Sequence, residues 1–341
     1  MIGRIPRWFL LVGIVTATFG CDNVSWGGMS LSLSPPPRDS SAIPDAPGQE
    51  GPERFEYGPL LFAGVREGDS ALVVPVAELV DGMLRPLPPG EPGARMAAQI
   101  QEERLSSGQR LTVFHGGTRI GTFTTSTPLG ITNEYCSPRS QARGRLELVP
   151  SASEAQRFLA LGEGTGGDWP FGRYQSFVAE RAHRNAIQNL AGVALNEVRA
   201  QWPAALQNIR QDLQLFLLPG DEAPAIVASF LFQDQMEVGP APDPAYSLLV
   251  MGEPAGRQFD RTFTWFRAVE PEGKGAPRFF SSMDWDQDGE DEILLEVFGA
   301  ESKWWAALDR ENGSWTVAFQ DPCGTPEVQA ASMEGSQGGQ R

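Results

Sequence analysis

The sequence predicts a β-rich α+β protein: a small N-terminal β domain, then one long helix, then an antiparallel meander sheet. Three observations carry this expectation. Short runs rich in Val, Leu, Phe and Thr recur along the chain, separated by turn residues. The 38 Gly and 28 Pro supply more punctuation than a helical bundle uses. One segment, "YQSFVAERAHRNAIQNLAGVALNEVRAQ" from Tyr174 to Gln201, keeps helical spacing of its apolar residues over several turns. At 341 residues the chain can support two ordinary domains.

Residues 1–20 read as a signal peptide. Arg4 and Arg7 precede the apolar run "WFLLVGIVTATFG", which is short for a membrane span and the right size for a signal core. Residues 21–54 are dominated by Ser, Pro, Gly and acids, the composition of a flexible tether reaching on the order of 30 Å. Residues 55–150 carry the strand-like runs "PLLFAGV", "SALVVPVAEL", "RLTVFHGG", "RIGTFTTS" and "GRLELVP", with a hairpin at Gly116-Gly117 and one helix in "ARMAAQIQEERLSS". Residues 151–172 form a Gly-rich joint.

Within residues 173–325 the helix places Val178, Ala182, Ala186, Ile187, Leu190, Val193, Ala194 and Val198 on one broad face, and Pro203 stops it. Seven or eight strands follow, from "DLQLFLLP" to "SWTVAFQD". In the last of these Trp315, Val317 and Phe319 alternate with polar or small residues, the period of a half-buried strand. Residues 326–341 read as a disordered tail.

Composition excludes some chemistry. A net charge of −16 repels phosphate backbones, so nucleic acid is not expected as a partner. HExxH, CxxC and P-loop motifs do not occur. Gly68-Asp69-Ser70 resembles the opening of GDSL hydrolases, but the later blocks of that family are missing. Of the two histidines, His115 lies in a hairpin and His183 within the predicted helix, and no GxSxG elbow accompanies them. Gly162, Gly164 and Gly167 spell GxGxxG without a helix placed to receive a phosphate. These signals predict no catalytic residue.

"DWDQDGEDEILLE", residues 284–296, is different. Asp284, Asp286 and Asp288 stand at positions 1, 3 and 5 of a turn, Gly289 at 6 and Glu292 at 9. Alternate carboxylates on a tight loop converge on one point and repel one another unless a hard cation compensates. Glycine permits the bend that turns the carbonyl of Glu290 toward the same centre. An all-oxygen set selects calcium, and the absence of an accompanying base or nucleophile points to a structural ion held with Kd of about 10⁻⁴–10⁻³ M. Leu295 occupies the position where an EF-hand needs Glu. The loop instead resembles the DxDxDGxxD/E loops of FG-GAP and VCBS-type repeats, which implies a loop between two strands; only one copy is present, so no full propeller is expected.

Gly20-Cys21 resembles the lipobox of bacterial lipoproteins, which implies lipidation at Cys21 and a chain anchored to a membrane, facing the periplasm or cell surface. Cys136 and Cys323 are then the remaining pair, a possible disulfide in an oxidising envelope. Trp304 and Trp305, adjacent on a strand, must point to opposite faces, so that one could be exposed as a platform for stacking a ligand. The expected role is therefore non-enzymatic: a tethered, calcium-stabilised envelope protein that binds or assembles with an envelope protein or a glycan. The alternative is a calcium-dependent carbohydrate-binding protein or hydrolase.

Overall fold

A computed structural model describes residues 54–165 and 174–324. The predicted signal peptide, Cys21 and most of the tether, Gly167, residues 166–173 of the joint, and the tail from residue 325 lie outside the described residues. Arg54 opens the compact unit that holds the described residues. No helix among the described residues is long and apolar enough to cross a membrane.

The N-terminal half is a closed barrel. Its elements run β1 (Leu60–Glu67), β2 (Ser70–Val80), β3 (Met83–Pro86), α1 (Gly90–Arg104), β4 (Arg110–His115), β5 (Thr118–Thr132), β6 (Arg139–Leu148) and β7 (Arg157–Gly162). Hydrogen bonding follows the order β1-β7-β4-β5-β6-β2, and β1 pairs with β2 to close six antiparallel strands, with β3 added outside β2. Closure removes the exposed edges that a small open sheet would present. Strand β7 falls inside the stretch predicted as a joint; "RFLALG" is brief and flanked by turn residues, so its strand character depends on its two barrel neighbours.

Period-two alternation sorts the barrel side chains. Leu60, Phe62, Val73, Leu111, Val113, Phe123 and Phe158 fill the interior, together with Met96 and Ile100 of α1. Leu61, Ala63, Val74, Val76, Phe114, Leu159 and Leu161 face outward into a second cluster.

Eight strands follow helix α2 (Arg181–Glu197): β8 (Arg210–Phe216), β9 (Ala225–Phe232), β10 (Tyr246–Ala255), β11 (Gln258–Ala268), β12 (Ala276–Met283), β13 (Glu292–Phe298), β14 (Lys303–Glu311) and β15 (Ser314–Gln320). They divide into two four-stranded antiparallel meanders, β8–β11 and β12–β15, instead of one sheet. The two pack face to face through Val227, Leu249, Met251 and Trp265 on one side and Ile293, Leu295, Val297 and Trp304 on the other. The second sheet turns its opposite face, with Phe280, Leu294 and Trp305, onto the outward residues of the barrel. Helix α2 covers the outer face of the first sheet, through Ile187, Ala191, Ala194 and Leu195 against Ile226, Ala228 and Phe230. Strands β9 and β13 are thus covered on both faces, which accounts for their near-continuous apolar sequences.

Two expectations need correction. The helix starts at Arg181, not Tyr174. Glu180 is its N-cap, its N–H donating to Nδ1 of His183 at 3.1 Å, so the chain turns into the helix only there. Val178 precedes it and is 85% exposed, while Val193 and Val198 lie off the buried stripe. On β15 the alternation breaks at a bulge opposite Ala307/Leu308. Trp315 therefore faces the first sheet and Phe319 the barrel, and Val317 is exposed.

Candidate metal centre

The carboxylate loop joins β12 to β13. Asp284, Asp286, Asp288 and Glu292 each offer an oxygen, and these four oxygens lie within 4.8 Å of one another. The fold of the loop is local. Asp286 Oδ1 accepts the N–H of Asp288 (3.0 Å), Asp288 Oδ1 that of Glu290 (2.8 Å), and Asp284 Oδ2 that of Gly289 (3.1 Å). Gln287 and Gly289 take positive φ, 66° and 99°, which winds the turn inward. Glu292 opens β13 and reaches back to accept the N–H of Trp285 at 2.8 Å.

Asp286 and Asp288 sit at the surface and Asp284 is half-buried, but Glu292 is 3% exposed. Its Oε1 and the Oδ1 of Asp284 are buried without a hydrogen-bond partner. Burial pushes the Glu292 carboxyl up to about 9, and the charges of Asp286, Asp284 and Asp309 add to the effect. Asp309, on β14, is a contributor that loop spacing could not reveal. The side chain of Glu290 lies 3.9 Å from Arg310 and is not among the four converging carboxylates. Four converging carboxylates with two unpartnered buried oxygens are a donor set that can hold a metal ion.

The barrel seats this loop on two turns. A Cβ on Gly82, in the β2–β3 turn, would lie 2.7 Å from Asp286 Cβ; one on Gly117, in the β4–β5 turn, would lie 2.5 Å from Asp291 Oδ2. Asp291 is buried beside the ligand set, accepts a hydrogen bond from Ser282 Oγ at 2.9 Å, and is raised to about 6 mainly by burial. Nothing in the sequence marks it, because "GEDE" offers three acids with nothing to distinguish the inward one.

Other predicted residues fall as follows. Cys136 and Cys323 are joined by a disulfide, with Cα atoms 6.2 Å apart, bridging the barrel side to the end of β15. Trp304 and Trp305 do point to opposite faces, but both are enclosed, at 3% and 0% exposure. Trp305 stacks on Tyr135 and meets the edge of Phe280. Neither indole presents a face for stacking, because each side of their sheet is covered by another sheet. Ser70 bonds the carbonyl of Glu67 as an ordinary turn residue. His115 Nδ1 lies 3.1 Å from Ser281 Oγ, a contact with no sequence signal; Ser281 is fully buried, and burial together with Arg157 lowers His115 to about 4.

No protein-family model, curated protein or solved structure matches the chain.

Proposed function

We propose that Asp284, Asp286, Asp288 and Glu292 hold one calcium ion, with the carbonyl of Glu290 as a further ligand, and that the ion's work is structural. The observation that carries this reading is Glu292: a buried carboxylate with an unpartnered oxygen, aimed at three aspartates. A carboxylate without compensation is costly in such a place, and a cation supplies the compensation. Ligand chemistry favours calcium: an all-oxygen set of carboxylates on a loop suits a hard cation that tolerates irregular geometry. Because the loop rests on the turns at Gly82 and Gly117, the ion would fasten the second sheet to the barrel.

Around this centre we infer a non-enzymatic binding or assembly protein, tethered through a lipid at Cys21 outside the cytoplasm. The lipobox-like Gly20-Cys21, the tether-like composition after it and the disulfide all support that setting. Calcium binding by equilibrium dialysis tests the reading: one ion per chain, lost in Asp286→Ala, with magnesium competing poorly. Absence of binding at millimolar calcium would remove it.

A further inference from the structure

Beside the carboxylate loop, where the barrel meets the sandwich, lies an open cavity of about 790 Å³, within the range of small-molecule sites. Its walls come from the β4–β5 turn, the segment 174–178 ahead of α2, the chain following β8, and Asp291. We propose that this cavity binds a short, uncharged oligosaccharide. The inference goes beyond the cation reading and does not depend on it.

Charge is the first argument. The lining carries two guanidinium groups, Arg157 and Arg278, and two carboxylates, Glu154 and Asp291, in a chain whose net charge is −16. Three of the four are already engaged: Arg157 with Asp212 at 3.5 Å, Arg278 with Glu296, and Asp291 with Ser282. His115 adds no charge, since burial keeps it neutral. Both guanidiniums already hold a carboxylate that does not line the cavity, so an anion entering here finds no unneutralised cation to select it.

Hydrogen-bonding chemistry is the second. Three amides, Gln156, Gln175 and Gln214, line the same space as the arginines and Asp291. Amides offer both donor and acceptor, and the planar Arg and Asp groups offer paired donors or acceptors. That mixture suits vicinal hydroxyls, which donate and accept from adjacent atoms. Aromatic surface is the third. Tyr174 and Phe177 are half-buried at the cavity wall, and Tyr174 is braced against His115 with ring centroids 5.5 Å apart. A braced ring gives the C–H face of a sugar an apolar partner. The enclosed Trp304 and Trp305 cannot do this; Tyr174 and Phe177 can.

The test is calorimetric titration of the purified protein with maltotriose, cellotriose and N,N′-diacetylchitobiose, each in calcium and in chelator. The expected result is 1:1 binding of at least one sugar, weakened about tenfold or more by Tyr174→Ala and by Gln214→Ala. Trp202→Ala, an exposed aromatic outside the cavity, leaves affinity unchanged. Unfolding midpoints of all three variants near that of the parent show that they are folded; a variant that fails this is replaced by Tyr174→Leu or Gln214→Glu. The inference is overturned if no sugar binds in either buffer, or if binding survives both cavity variants. It is also overturned if the anion 1-anilinonaphthalene-8-sulfonate binds there more tightly than any sugar and loses that affinity in Arg157→Gln. Sugar binding that persists in chelator upholds the inference even where the calcium reading fails.

Discussion

Replacing Glu292 with Gln tests the centre through a calcium response that the parent shows and the variant lacks. Without a cation the folded protein must either bury a charged carboxylate beside three aspartates or protonate it. With the group raised to about 9, protonation is the cheaper route at pH 7. Holding a carboxyl of ordinary value 4.5 neutral at pH 7 costs about 3 kcal/mol. This penalty begins above the unfolded value and grows as pH rises toward the folded one, so stability falls between about 4.5 and 9. Gln removes the penalty and its Oε1 can still accept the N–H of Trp285. Glu292→Gln should therefore be more stable than the parent in chelator, by about 3 kcal/mol at pH 7 and less at pH 5. Calcium nearly closes the gap. At a concentration a hundredfold above Kd, the ion stabilises the parent by about 2.7 kcal/mol, and the variant gains little because it lacks the buried ligand. A domain of this size shifts its midpoint by about 2 °C per kcal/mol. Thermal unfolding by circular dichroism at pH 7 should thus show a rise of about 5 °C with 10 mM calcium in the parent and almost none in Glu292→Gln, which starts about 6 °C higher in chelator. A variant less stable than the parent in chelator would refute the reasoning, because it would mean the buried carboxylate is not an electrostatic burden.

Gly117→Ala should weaken calcium binding measurably, since its Cβ displaces Asp291 from beneath the loop; Gly116→Ala, also at positive φ but with open space around it, should cost stability without touching affinity. Asp321→Asn should destabilise by about 3–5 kcal/mol in urea titrations, because Arg139 and Asp321 form a fully buried pair at 2.6 Å and the arginine would be left without its counter-charge; a loss below about 1 kcal/mol would show the pair to be dispensable. His115 stays neutral in the fold down to about 4, whereas a free histidine protonates near 6.5, so stability should fall by about 3 kcal/mol as pH drops through that window. His115→Gln should flatten this acid limb in pH-dependent melts.

Strands β9 and β13 were legible as continuous apolar runs, and the carboxylate loop as a spacing, because both depend on neighbours in sequence. What could not be read depends on pairing across the chain. Barrel closure rests on β1 finding both β2 and β7, and "RFLALG" has no strand signature strong enough to announce the second of these. The division of eight strands into two sheets turns on whether β11 pairs with β12, which no local pattern specifies. Trp304 and Trp305 were assigned to opposite faces by the pleat, yet their burial needed knowledge that both faces are covered. The start of α2 was misplaced because apolar spacing extended through Val178, while the Glu180–His183 cap decides where the helix begins. Asp291 went unnoticed for a related reason: its partners, Ser282 and Gly117, come from a neighbouring strand and from the barrel.

Among the contacts that join the barrel to the second sheet, three fastenings are chemically unlike. Arg139 on β6 reaches Asp321 beyond β15, and its guanidinium also donates to the carbonyls of Pro75 and Val76, so this one is purely intramolecular. The disulfide from Cys136 to Cys323 lies two or three residues from the same pair and closes a separation of 187 residues. Chain entropy alone assigns such a closure about 5 kcal/mol. The carboxylate loop is the third, and in the proposed reading it depends on a cation. Arg139–Asp321 works wherever the chain folds, but the disulfide needs an oxidising compartment and a calcium site of modest affinity needs millimolar ion. Both conditions hold outside the cytoplasm, where the proposed tether would place the protein. The cavity proposed to take a sugar has one wall on the barrel and the other on the sandwich. Its shape therefore depends on how firmly the two halves are held. Loosening the loop should alter ligand affinity more than loosening α2, which covers the far face of the sandwich and contributes nothing to the cavity wall.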